Sequence, residues 1–407
     1  IAMAENASHS AQTYTGDAFR LSEGAYNKVR VILMGLAAVG WLLLIAGYFL
    51  DHERFFRSYL LNYVYSLTFV VGALFFVMVE HASGATWSVV LRRISESIMM
   101  VIPIAALFFI PLLFDLHGIY EWTHEAVVAK DPYLFEKSAY LNVPFFIARA
   151  VIYFAIWSFL AFKLWGWSTA QDTDRDFAYT AKSRRLSAFG LLLLTFTFSL
   201  AAVDWVMSLM PHWFSTMFGL YMYAGCATGF TGMLILISLA FRSNGILDRA
   251  ITEEHYHDLG KWLYAFNIFW AYCAFSQYML IWYGNLTEET IFFQHRFQGS
   301  WEYVSKLLIF GHFLIPFVLL VTLWAKRNLV VLGTMAALLV AMHYVDVYWL
   351  IMGSFYLDGV QLHWLDAAGL LALLPTFGLF FWMRLAKQHI VPVGDLRFER
   401  SLHFHQV

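Results

Sequence analysis

A chain of 407 residues that is 60% hydrophobic and only 13% charged does not belong to the ordinary soluble globular class. Its net charge of -2 leaves no basic surplus, so nucleic acid is not an expected partner. The expected surroundings are a lipid bilayer, whose core a helix crosses with roughly 20 apolar residues.

In chain order, a polar segment over 1–28 comes first and has no apolar core of the kind a secretory signal needs. Spans then follow at Val29–Leu50, Tyr59–His81, Ile98–Leu116, Val143–Leu164, Leu186–Met210, Phe214–Phe241, Trp262–Gly284, Tyr303–Trp324, Leu329–Met352 and Trp364–Leu385. They are too long for barrel strands, and unpaired backbone cannot face lipid, so they are helices. The expectation is an all-α polytopic membrane protein with ten transmembrane helices over 29–385. A tail over 386–407 follows. Most Lys and Arg residues fall on the side of the two termini, and the other side holds only Arg54, Arg57, Lys130, Lys137 and Arg296. This bias puts both termini in the cytoplasm.

Two phrases repeat. Val203-Asp204-Trp205-Val206-Met207-Ser208-Leu209-Met210-Pro211 closes span five, and Val345-Asp346-Val347-Tyr348-Trp349-Leu350-Ile351-Met352-Gly353 closes span nine, each with Met followed by a helix breaker. An aspartate inside a spanning helix is costly and reads as functional by default. The simplest scheme is a parallel repeat of two four-helix bundles. Spans two to five (about 59–210) form one and spans six to nine (about 214–352) the other, with spans one and ten peripheral.

At 1.5 Å per residue, Asp204 and Asp346 sit about 8–9 Å from the outer ends of their helices, and Arg149 about 10 Å in from the outer start of span four. Lys306, His312 and His343 share that outer layer, and His343 lies three residues before Asp346, on the same helix face. Lone charges there are too costly, so Arg149 is expected near Asp204 and Lys306 near Asp346. Such pairs either lock the bundle or serve a proton path or a quinol head group. At the inner ends lie Glu80, His81 and Glu96, where helix-end carboxylates are most often solvated. Hydroxyls on span two (Tyr65, Ser66, Thr68) and span five (Thr195, Thr197, Ser199) could carry water between the layers. Such groups more often bond backbone.

Metal and cofactor signals are weak. The outer cluster Asp115, His117, Glu121, His124, Glu125 and the inner run Glu253-Glu254-His255-Tyr256-His257-Asp258 read as solvated loops rather than metal sites. His312 and His343 are the deep histidine pair a haem would need, but each has another partner nearby. Cys226 and Cys273 form no cluster motif and read as buried structural thiols. Gly225-x-x-x-Gly229 is a weak helix-packing signal.

The phrase Asp204-Trp205-Val206-Met207-Ser208-Leu209-Met210-Pro211-His212-Trp213-Phe214-Ser215-Thr216 is similar to the signature of the ActF subunit family of bacterial alternative complex III. So are Ile281-Trp282-Tyr283-Gly284-Asn285-Leu286-Thr287-Glu288-Glu289 and His343-Tyr344-Val345-Asp346-Val347-Tyr348-Trp349. That family resembles NrfD-type quinone-linked subunits. The resemblance covers every span. It implies a subunit of the bacterial inner membrane, in a respiratory or photosynthetic complex that oxidises quinol. The chain itself would hold no cofactor, with haem c and iron–sulfur clusters in periplasmic partner subunits. It also implies a paralogous ActC-type NrfD-like partner that holds the quinol site. This chain would then serve as scaffold and proton-conducting half-channels. Asp204, His212, His343 and Asp346 lie in the matching phrases; Arg149, Lys306, His312, Glu80, His81 and Glu96 rest on depth alone. The alternative is that this chain binds quinol itself, at His343 with Asp346 or Arg149 with Asp204. A secondary transporter is disfavoured, because Pro103, Pro111, Pro316 and Pro375 form no matched pair of broken helices.

Overall fold

The computed structural model describes residues 19–248 and 250–405. Most of the polar segment over 1–28 lies outside them, as do Arg249 and the last two residues of the tail. The described chain is helical throughout. Among its residues nine helices are long and apolar enough to cross a membrane.

The first is α1 (Glu23–Leu50), then α2 (His52–Ser83). The third run, Val89–Ile119, is broken. Its α3 (Val89–Met99) and α4 (Ile102–Phe109) are followed by a 3-10 stretch at Ile110–Asp115. Pro103 and Pro111 each sit in the first turn of a new piece, the one place where a missing N–H costs no helix bond. Then come α5 (Val143–Asp174), α6 (Phe177–Trp205) and α7 (Phe218–Ser243). After α8 (Glu253–Gly284) and the short α9 (Thr287–Arg296), the run Trp301–Leu320 comprises α10 (Trp301–Leu307), a π-helical turn at Leu308–Leu314 and α11 (Ile315–Leu320). The last two are α12 (Leu329–Phe355) and α13 (Trp364–Leu385).

The expected seventh span, Trp262–Gly284, falls on α8, which is 32 residues long and therefore about 48 Å. It is not among the nine apolar helices. Its first nine residues hold Glu253, Glu254, His255, His257, Asp258 and Lys261, and Asn267 and Gln277 lie deeper. Those first residues are not the solvated loop expected from sequence. Thr252 and His255 form a reciprocal cap, and His255, His257 and Asp258 are buried. A capping box satisfies the orphan N–H groups of a first turn, so helix wins over loop there.

α2 is the axle, with almost all of it buried. It packs on α3, α6, α7 and α13; α6 also meets α5, while α7 meets α8 and α12. α1 and α13 pair at the side, so closely that a Cβ on Gly40 would stand 2.2 Å from the Ala372 nitrogen. Small residues allow such backbone approach between membrane helices. Large apolar side chains such as Val31, Leu42, Phe49, Phe275 and Val330 point outward, as lipid contact requires and water would penalise.

The two described chain ends lie together, since Ile390 N–H donates to the Phe19 carbonyl. This end is called the terminal face and the opposite end the far face. The tail crosses the terminal face as a strap. Asp395 accepts from Arg92 at 2.6 Å and from Arg397 at 2.9 Å. Gly394 N–H donates to Asp172, and Ser401 reaches the Trp87 carbonyl and the Val90 N–H.

Candidate functional site

Asp204 lies in the last turn of α6 and is fully buried. Arg149, on α5, donates to both its carboxylate oxygens, Nε at 2.8 Å and Nη2 at 3.0 Å. Tyr153 is one turn along α5, so it shares Arg149's face, and its hydroxyl donates at 2.9 Å. The remaining Arg149 nitrogen, Nη1, donates to the Tyr140 carbonyl, and the Tyr140 ring stacks 3.8 Å from the guanidinium. Both Asp204 oxygens and all three Arg149 nitrogens are matched. A fork-to-fork pair of this kind fixes geometry as well as charge.

Asp346 occupies the corresponding phrase of α12 and is equally buried. Its partners differ. The Tyr221 hydroxyl, on α7, donates to one oxygen, and Trp270 Nε1, on α8, donates to the other at 3.0 Å. Lys306 does not come here. It pairs with Glu302, four residues earlier on the exposed face of α10. Lysine is strongly hydrated, and a neighbouring exposed carboxylate gives it a partner without the desolvation that Asp346 would demand.

Two imidazoles take the place where a cation was expected. His312, His343 and Asp346 each offer an atom such that all three lie within 4.8 Å of one another. His343 Nε2 is 2.8 Å from the Thr68 hydroxyl of α2, and its Nδ1 has no hydrogen-bond partner. His312 is stacked on Trp270, with ring centroids 3.8 Å apart, and neither of its nitrogens has a partner. The spacing would admit a metal ion, but both carboxylate oxygens are already held, and Thr68 holds one imidazole nitrogen. A mobile proton fits these atoms without displacing any of those bonds.

The backbone makes room for this trio. Gly225 and Gly229 of α7 face His343, and a Cβ on Gly229 would stand 2.6 Å from the ring. The GxxxG spacing thus marks the place where an imidazole lies flat on a helix. His312 sits on the π-helical turn, just before Pro316. Proline cannot donate to the carbonyl four residues back, so the ladder slips there, as π-turns at functional positions often do.

Arg296 was not legible from depth. It is the last residue of α9 and fully buried, and it has no ion-pair partner among the described residues. Its guanidinium donates to the carbonyls of Trp349 (3.3 Å), Leu350 (3.1 Å) and Phe292 (3.1 Å) and to the Ser354 hydroxyl (3.1 Å). It also contacts Met210 Sδ at 3.6 Å, so one side chain touches both repeated phrases. Burial pushes its pKa down to about 9. It caps the end of α12, where a cation meets the negative end of the helix dipole. A second unexpected nest lies nearby, where Arg54 and Ser58 of α2 donate to Asp366 at the start of α13 (2.5 and 2.7 Å).

At the terminal face Glu80, His81 and Glu96 are buried rather than solvated. Glu96 accepts from Arg92 (3.2 Å) and the Ser168 hydroxyl (2.8 Å), with Arg93 at 3.3 Å. Ser88 donates to Glu80, and both His81 nitrogens lack partners. The strap sets Arg397 against Glu80 and His81, while α5 covers Glu96 through Ser168. Burial alone would push the Asp395 carboxyl up, but the Arg92 and Arg397 guanidiniums hold it well below the usual carboxylate range.

Between the layers, Thr195 and Thr197 bond carbonyls of their own helix, and Tyr65 reaches only the Val340 carbonyl. Thr68 is the hydroxyl that joins a site, at His343. His212 lies in a far-face loop against Asp131 at 2.5 Å, away from both nests. The outer cluster is an exposed loop in which His117 and His124 meet each other, with Asp115 3.7 Å from His52. Cys226 and Cys273 are buried and unlinked.

Comparison of the chain with models of protein families and with characterised proteins finds no match.

Proposed function

We propose that this chain is the cofactor-free integral membrane subunit of a quinol-oxidising electron-transfer complex of the alternative complex III type. Its Asp346 nest moves protons within the far half of the membrane. α8 then carries the seventh span and completes the ten, the two four-helix bundles form a parallel repeat, and the terminal face is cytoplasmic. The partner subunits, including an ActC-type paralogue, hold haem c and iron–sulfur clusters.

One observation carries the reading. Among the described residues Asp346 is buried with no cation in ion-pair reach, next to two imidazoles that keep unpartnered nitrogens. A buried carboxylate without a cation balances its charge most cheaply with a proton. The imidazoles give that proton places to go. The groups facing it from every packed helix are Tyr221 (α7), Trp270 (α8), His312 (π-turn) and His343 (α12), with Arg296 beyond Tyr221. The Asp204 nest, saturated by Arg149 and Tyr153, supports a locking role instead. With both inner carboxylates buried and no hydroxyl wire between, the arrangement suits separate half-channels better than a continuous path.

The test is Asp346→Asn in the whole complex, which keeps size and removes the exchangeable charge. Quinol oxidation should continue while the proton gradient per electron falls. An assembled variant with an undiminished gradient would refute the relay.

A second reading has its own observation. A cavity of about 720 Å³ between α7, α8, α10 and α12 is almost wholly apolar and is lined by Tyr221 and Trp270, both bonded to Asp346. An apolar cleft with a few polar groups at its end suits a quinol head. If this chain binds quinol itself, Asp346→Asn should lower quinol turnover as well as proton yield.

A further inference from the structure

A second large cavity lies in the terminal half, between α1, α2, α7 and α13. Its volume is about 660 Å³. It is separate from both aspartate nests and shares no lining residue with the 720 Å³ cavity. Its walls are apolar over their length, formed by residues such as Leu33, Phe69, Ile237, Leu374 and Phe381. Apart from the Ser66 hydroxyl, the polar side chains gather at one end, where Ser22, Lys28 and Asn244 line the mouth. These residues belong to the start of α1 and the end of α7, so the mouth opens at the terminal face.

We infer that this cavity holds one acyl chain of an anionic phospholipid, with its head group on Lys28. Water is a poor occupant, because a buried water needs two to four polar partners and the deep half offers only the Ser66 hydroxyl. That single group is also too little to orient a polar head at depth, so the polar part of the ligand stays at the mouth. Charge selects which lipid. Lys28 is exposed and makes no ion pair among the described residues. Arg20 and Arg30 are exposed nearby, with Glu23 and, two residues beyond the lining Ile246, Asp248 as exposed acids. Basic side chains at a membrane surface favour anionic lipids, each adding about fivefold to affinity. The inference needs the helices to lie in a bilayer. It does not need the chain to belong to a quinol-oxidising complex, and its failure would leave the Asp346 reading untouched.

The experiment uses the full chain in nanodiscs of phosphatidylcholine with added phosphatidylglycerol. Gentle detergent release and native mass spectrometry then count the lipids retained. The expected result is one phosphatidylglycerol per chain. Ala240→Trp, at an exposed position that lines the cavity, should abolish retention. Lys28→Gln, also at an exposed position, should weaken phosphatidylglycerol retention about fivefold and leave phosphatidylcholine unchanged. Should the tryptophan variant fail to fold, the glutamine variant decides. Equal retention of the two lipids by the wild type, undiminished phosphatidylglycerol in Lys28→Gln, or an isoprenoid quinone in place of phospholipid would each overturn the assignment.

Discussion

Asp204 and Asp346 close helices with nearly the same words, and both are sealed from solvent. One meets a guanidinium that covers both its oxygens; the other meets a phenol, an indole and two imidazoles. The difference teaches that a buried carboxylate is not functional in itself. What surrounds it decides whether its charge is fixed or exchangeable. A complete ion pair has nothing to gain from a proton, whereas a carboxylate beside unpartnered imidazoles does.

Substitutions can break that comparison. The largest effect should come from Arg149→Met, which strands Asp204 without its cation. Breaking one side of a buried pair costs about 3–5 kcal/mol. The apparent melting temperature in detergent should fall sharply, and the double variant with Asp204→Leu should recover most of the loss. If the single variant melts like the wild type, Asp204 is not locked. Gly229→Ala comes next, because the added methyl meets the His343 ring at 2.6 Å. Overpacking of this sort costs about 1–3 kcal/mol, and proton yield should fall in step with stability. Asp346→Asn should cost only about 0.5–1.5 kcal/mol, the worth of an altered hydrogen bond. It should cost less than Asp204→Asn measured side by side; the reverse order would remove the distinction between the nests. Lys306→Ala should leave both melting temperature and proton yield where they are, since its partners, Glu302 and the Tyr303 ring, lie on the exposed face of α10.

The sequence made one nest legible and the other only in part. Arg149 and Asp204 could be matched because each lies a countable distance from the same ends of consecutive helices. The same counting misplaced Lys306. It ignored Glu302 one turn away and the cost of drying an ammonium group. Arg296 could not be found by depth, because the short α9 tucks it back inside after a loop that hydropathy treats as outside the bilayer. A partial signal was present in Gly353, which ends the repeated phrase of α12 and whose added Cβ would stand 3.1 Å from the Arg296 Nε. The inner carboxylates read as solvated because their cover arrives from distant parts of the chain, the strap and α5, which no local pattern reveals. The start of α8 was misread for the opposite reason. Its charges suggested a loop, while Thr252 and His255, three apart, were spelling a helix cap.

The strap over the terminal face has a consequence for how the protein is made. Arg92 and Asp395 are 303 residues apart, so at 5–20 residues per second the ribosome needs about 15–60 s to supply the second after the first. Throughout that interval Arg92 lacks its tail carboxylate and Glu80 lies open, without Arg397 beside it. Chains interrupted before residue 395 would display this charged opening to the quality-control proteases of the membrane, and chains that carry the strap would not. The Arg92–Asp395 pair thereby signals that the strap has arrived, readable as a longer cellular half-life for the wild type than for chains carrying Asp395→Ala.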